Sequence, residues 1–280
     1  MNISKFRLLL FIPFLSCINS NDQIENQDLL EPVDQKVKQE IVNFNTLIKG
    51  TGSPTIIFES GLGTPLNNWN IIQENISANY KTISYDRQGI GGTADTDSSR
   101  SIENLVSDLE SLISQNEIEG PIVLLGHSLG GHIVRKYQQS FPSNIVGLFL
   151  IDPTHEYLYD EVFNEMTQNA VDSMKTAWDN NFKKGSPAVY KEWKEVYNID
   201  QEMRKCPLPS HIPITILASK QENSFLTKKN VQIKERLFSD WKKDKENVKI
   251  LYTKNSGHYI HLGEPEWVVE ELEIFLLSLK

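Results

Sequence analysis

Residues 122–130 read Ile-Val-Leu-Leu-Gly-His-Ser-Leu-Gly, and this stretch decides the architecture. Ile122 to Leu125 is a short apolar run of strand type, and residues 131–141 follow with helical character up to Pro142. Between them stands Gly126-x-Ser128-x-Gly130. A strand that turns this sharply into a helix forces the residue at the turn into a strained backbone, and flanking glycines leave room for it. The strain pushes the Ser128 hydroxyl out at the carboxyl edge of a sheet. The helix beneath it offers backbone N–H groups and a favourable dipole to a developing oxyanion. The plainer reading is a glycine-rich turn with an inert serine; placement between an apolar strand and a helix argues against it.

The same rhythm extends in both directions. Thr55-Ile-Ile-Phe58 is stopped by Gly61 and Gly63, and Lys81 to Tyr85 is stopped by Asp86 and the glycines at 89, 91 and 92. Ile102, Leu105, Leu109, Leu112 and Ile113 mark one face of a helix over residues 101–114. Val146 to Ile151, Ile214 to Ala218 and Val248 to Tyr252 are further strands, and Trp267 to Leu279 is a terminal amphipathic helix. Short apolar strands alternating with helices predict an α/β fold, with a mostly parallel central sheet flanked by helices on both faces. From Pro153 to Ser210 the rhythm breaks, and aromatics crowd together from Tyr157 to Tyr197. Helices with loops are expected there. They form either a peripheral pair packed on the sheet or a cap, at about 155–210, whose aromatics line an apolar pocket.

Composition removes several classes of function. Of 280 residues, 39% are hydrophobic and 23% charged, which excludes a disordered, collagen-like or polytopic membrane chain. Lys plus Arg number 28 against 37 Asp plus Glu, and a net charge of −9 repels phosphate backbones, so nucleic acid is not an expected partner. Cys17 and Cys206 are too few for a disulfide framework.

Residues 1–16 read as a secretory signal peptide: Lys5 and Arg7 give a basic start, and Leu8 to Leu15 is too short to span a bilayer. Phe14-Leu15-Ser16-Cys17 resembles the lipobox of bacterial lipoproteins, with Phe14 where Leu is more usual. The resemblance implies lipidation of Cys17, export, and a membrane anchor in the bacterial cell envelope. Residues 17–40, polar and without periodic apolar positions, are expected to be a flexible tether. The domain proper is expected over 41–280.

Several segments, taken in order, resemble the α/β-hydrolase fold superfamily of serine esterases, lipases and peptidases. Phe58-Glu59-Ser60-Gly61-Leu62-Gly63 is similar to its oxyanion-hole loop, and Tyr85-Asp86-Arg87-Gln88-Gly89-Ile90-Gly91 to its D-R-x-G-x-G turn. Gly126-His127-Ser128-Leu129-Gly130 is similar to the nucleophile elbow, and Ser256-Gly257-His258-Tyr259-Ile260-His261 to the late segment carrying the catalytic histidine. The resemblance implies Ser128 as nucleophile and His258 as general base, since a serine hydroxyl is too weakly acidic to attack unaided. It implies the backbone N–H groups of Leu62 and Leu129 as the oxyanion hole, with Ser60-Gly61 in place of the common His-Gly.

Two positions compete for the acid. Glu222 stands after the strand at 214–218, where the family usually keeps it, with Ser219 replacing that pattern's glycine. Asp152 stands at the end of the strand at 146–151, where other members carry it. Either carboxylate can fix the imidazole tautomer and stabilise its cation. His127 and His132 are expected to point into packing. His258-x-x-His261 lacks the further ligands a metal site needs, and no motif implies an organic cofactor. The mixed-charge run from Lys228 to Lys245 is expected to be a solvated helix face.

The function implied is hydrolysis of a small-molecule carboxylic ester, less readily an amide, through an acyl-enzyme. A serine rather than an aspartate at the elbow argues against epoxide hydrolase or dehalogenase chemistry. The alternatives are a non-catalytic binding protein on the same scaffold, or a C–C bond hydrolase or aminopeptidase of the same fold.

Overall fold

Central strands that carry apolar residues on both faces have no face for water, so helices must cover both sides of their sheet. A computed structural model, which describes residues 42–223 and 225–279, has that arrangement. The signal peptide, the tether and Cys17 lie outside the described residues. The strands are β1 (Thr46–Lys49), β2 (Thr55–Glu59), β3 (Thr82–Tyr85), β4 (Ile122–His127), β5 (Ile145–Ile151), β6 (Ile214–Ser219) and β7 (Val248–Thr253). They form one sheet in the order β1-β3-β2-β4-β5-β6-β7, antiparallel at the β1–β3 edge and parallel elsewhere.

Alternation of side chains along each strand sorts the core into two layers. Ile57, Leu124, Leu148 and Ile216 pack under α2 (Ile102–Gln115), α3 (Leu129–Ser140) and α7 (Lys228–Lys242). Ile56, Phe58, Val123, Leu125 and Phe149 pack under α1 (Asn70–Ile76), α8 (Ile260–Gly263) and α9 (Pro265–Leu277). The edge strand β1 and helix α1 are additions to what the periodicity predicts. β1 has no fully buried position and only four residues, so it carries no apolar run to read.

Sheet order fixes where the chemistry sits. The chain leaves β2 towards β3 and then returns to the other side of β2 with β4, so loops at the carboxyl ends of β2 and β4 part and leave a crevice. Over it, between β5 and β6, the chain inserts α4 (Leu158–Asn164), α5 (Gln168–Phe182) and α6 (Pro187–Met203). Each long helix of the insertion starts on a side-chain cap: Thr167 accepts from Ala170 N–H, and Ser186 accepts from Val189 N–H with Pro187 in the first turn.

Candidate active site

At the end of β4 the backbone at Ser128 takes φ 53° and ψ −119°, and α3 begins at the next residue. Such left-handed geometry is strained for a residue with a side chain, and it persists here because its surroundings are closely packed. A Cβ at Gly126 would lie 2.6 Å from Gly130 O, and one at Gly130 would lie 2.3 Å from Glu59 O. The two glycines of the elbow are therefore required by backbone approaching backbone.

The chain also turns through positive φ, 41°, at Asp152, directly after β5. Its N–H donates to Leu217 O at 2.7 Å, and its Oδ1 accepts from Ser219 N–H at 2.8 Å. The other oxygen, Oδ2, lies 2.8 Å from His258 Nδ1 across 106 residues of sequence. Burial by itself would raise the Asp152 pKa. Lys234 and His258 more than offset that and hold the carboxyl well below the usual carboxylate range. Glu222, the other candidate acid, is exposed on the loop after β6. The Nδ1 position of the imidazole is already taken by Asp152, so the structure brings Asp152, and not Glu222, to His258. The physical reason is reach: β5 ends beside β4 and aims Asp152 inward, whereas Glu222 lies three residues beyond the end of β6.

Ser128, His258, Leu62 and Leu129 line a cavity of about 380 Å³ together with aromatic residues of the insertion. Leu129 opens α3, so its N–H belongs to the first turn and has no carbonyl partner within the helix. His127 and His132 are buried, as expected of residues that serve packing, and both also border this cavity. The His127 Nε2–H donates to His258 O at 3.0 Å and so braces the loop that carries the imidazole. Burial pushes the His127 pKa well below its usual value, which keeps that ring neutral. His132 Nε2 lies 2.9 Å from Oδ1 of Asp200 on α6, and burial raises the Asp200 pKa.

Two further buried charges bear on the site, and the sequence reading missed both. Lys234, in the run expected to be solvated, is buried and its Nζ lies 2.5 Å from Asp152 Oδ1. Glu192 is fully buried on α6 and chelates Arg87, at 2.7 Å to Nε and 2.9 Å to Nη2. Arg87 in turn reaches Glu59 and the carbonyls of Ser60 and Gly61 at 2.7–2.8 Å, while Glu192 Oε2 accepts from Gly63 N–H at 2.8 Å. The D-R-x-G-x-G arginine thus ties the insertion to the loop that carries Leu62.

A signal for both was available. Lys234 interrupts the stripe Val231, Leu237, Phe238 and Trp241, and Glu192 interrupts Ala188, Ile199 and Met203. An ionisable residue in the apolar stripe of a helix must find a partner inside the protein.

Replacing Glu192 leaves Arg87 paired with Glu59 but weakens two charge-assisted hydrogen bonds inside a buried network, at a cost of about 3 kcal/mol. Glu192→Gln is therefore expected to lower the melting midpoint by about 6–12 °C, measured by circular dichroism. A fall of less than 2 °C would show that Arg87 is held without it.

A family profile described as serine aminopeptidase, S33, matches residues 69–236, more than half of the chain. The chain belongs to this α/β-hydrolase family. The hydrolase is 31% identical to the uncharacterized protein YqjL of Bacillus subtilis over 105 residues, which is 38% of this chain and 42% of that protein. It is 24% identical to an AB hydrolase superfamily protein of Gibberella zeae over 113 residues, 39% of this chain and 35% of the other. The matched stretches are thus less than half the length of either relative. Among solved structures, the esterase of Exiguobacterium antarcticum superposes with a TM-score of 0.64 at 17% identity, covering 84% of this chain and 95% of its own. At that identity the likeness speaks for the fold of the hydrolase.

Proposed function

We propose that this hydrolase cleaves carboxylic esters through an acyl-enzyme on Ser128, with His258 as general base and Asp152 as the acid that orients it. The observation that carries the reading is the 2.8 Å contact from His258 Nδ1 to Asp152 Oδ2, at the same end of the sheet as Ser128. With Nδ1–H given to Asp152, the tautomer leaves Nε2 unprotonated and free to take a proton. As the Ser128 oxygen bonds to the ester carbonyl carbon, its proton passes to Nε2. The carbonyl oxygen becomes an anion that accepts from the N–H groups of Leu62 and Leu129. Collapse expels the alcohol, which takes the proton from His258 and leaves the acyl group on Ser128. Water then repeats the sequence, with its proton going to His258, its oxygen to the acyl carbon, and Ser128 regaining a proton as the acid departs.

An apolar acyl group suits the walls. Tyr159, Trp178, Trp193 and Val196 line both the Ser128 cavity and an adjoining one of about 530 Å³, whose lining also includes Lys175, Lys183 and Lys194, so an acyl chain too long for the first has these shared apolar side chains to follow into the second. A second reading, aminopeptidase activity, rests on Asp200, whose carboxyl faces the same cavity and could hold a substrate amine. The ester reading comes first because burial raises the Asp200 pKa and weakens it as an anionic anchor.

Residues 42–280 tested against p-nitrophenyl esters of two to twelve acyl carbons and against aminoacyl p-nitroanilides separate the two. The expected outcome is ester turnover with kcat/KM rising by about 10-fold or more as methylenes are added, at about 0.8 kcal/mol for each one buried. Turnover confined to the anilides would replace the ester reading with the peptidase one. Turnover of neither, by folded protein, would favour a binding role.

A further inference from the structure

Asp152 uses its two oxygens unequally. Oδ2 takes His258 Nδ1, whereas Oδ1 takes two donors, the Ser219 N–H at 2.8 Å and the Lys234 ammonium at 2.5 Å. Lys234 Nζ also donates to Ser219 O at 3.0 Å and lies 5.7 Å from the Phe238 ring. Its side chain is 4% exposed, so the charge is screened by neither water nor salt. The direction of the Asp152 carboxylate is already set by the Ser219 N–H on one oxygen and the imidazole on the other. What Lys234 adds is a positive charge.

That charge matters through the imidazole. In a lone Asp–His pair the carboxylate stabilises the imidazolium, and the pKa of the histidine rises. An ammonium on the far oxygen offsets part of the carboxylate's negative charge and weakens that stabilisation.

The other groups facing His258 do not supply the same effect near neutral pH. His127, from β4, is kept neutral by burial, and burial pushes His261, on α8, down to about 4. The Tyr259 ring stands 5.4 Å from the imidazole. Next to Lys234, Lys220 and Glu235 pair with each other, and Lys220 also lies over the Tyr252 ring.

We propose that Lys234 is a positioning residue that acts through Asp152: its ammonium on Oδ1 offsets the carboxylate charge that His258 faces on Oδ2 and so sets the acid limb of the activity. This rests on the reading of Ser128, His258 and Asp152 as one catalytic unit. The sign follows directly. His258 must be neutral to accept the serine proton, so activity falls away on the acid side. Removing the ammonium leaves the Asp152 carboxylate unopposed, strengthens its hold on the imidazolium and moves the acid limb to higher pH.

The test compares Lys234→Met, which keeps the length and removes the charge, with Lys234→Arg, which keeps the charge. The profile of kcat/KM against pH is measured from 4.5 to 9 on a p-nitrophenyl ester. Lys234→Met is expected to move the acid midpoint up by about one pH unit, and Lys234→Arg to leave it within about 0.3 of native. A lower plateau with an unmoved midpoint, or a midpoint that moves down, would overturn the proposal, because a purely structural role predicts no upward shift. Should Lys234→Met not fold, Lys234→Gln carries the same expectation. NMR titration of the His258 ring proton in the same variants reads the shift without turnover. An upward shift there in a protein inactive on every ester would support Lys234 while refuting the hydrolytic reading; no shift would refute Lys234 alone.

Discussion

Ser128→Ala is expected to lower kcat on p-nitrophenyl esters by about 10⁶-fold, equivalent to about 8 kcal/mol of transition-state stabilisation. The loss is large because, on the proposed mechanism, the serine, the histidine and the carboxylate act as a unit. Without the hydroxyl there is no acyl-enzyme, and His258 and Asp152 have nothing to activate. Alanine accepts the positive φ at this turn no worse than serine does, so the fold is expected to survive. The measurement pairs steady-state rates with the mass of the protein after exposure to a p-nitrophenyl phosphonate. Native enzyme should gain one phosphonyl group on Ser128, and the variant none. Rates within tenfold of native, or a label on another residue, would remove Ser128 as nucleophile.

The second large effect separates Asp152 from Glu222. Asp152→Asn is expected to lower kcat by about 10⁴-fold, whereas Glu222→Gln should leave it within about twofold. An amide at 152 can offer its N–H₂ to the imidazole and favour the tautomer whose Nε2 carries the proton, which cannot act as base. It also withdraws the negative charge beside buried Lys234, so a stability loss of about 3 kcal/mol is expected alongside the rate effect. Rates must therefore be compared on protein shown to be folded by circular dichroism. A hundredfold loss in Glu222→Gln with Asp152→Asn near native would reverse the assignment and require the loop after β6 to move onto His258.

Much of the fold was legible because burial and periodicity are local in sequence. Strands β2 to β7 declare themselves as apolar runs because both faces of the sheet are covered, and α2 and α9 by a single apolar stripe. β1 does not, since an edge strand needs no buried face. The elbow was legible for a different reason: two backbone segments approach within what a Cβ would fill, and that demands glycine at 126 and 130.

The partners of charged groups were not legible in the same way. Asp152 meets His258 across 106 residues, Lys234 meets Asp152 across 82, and Glu192 meets Arg87 across 105. Asp152 and Glu222 both follow strands and both carry a carboxylate, so local sequence offers nothing to rank them. Likewise, a run of lysines and glutamates looks solvated until the helix is docked and one lysine is seen to lie on its buried stripe. The sequence by itself determined the α/β architecture, the serine elbow and the histidine loop, because these depend on neighbours along the chain. Only the tertiary structure decided which carboxylate faces the imidazole and which cation faces that carboxylate. Such pairings depend on where strand ends and helix faces arrive in space, and electrostatic interaction falls off with distance through space, whatever the separation along the chain.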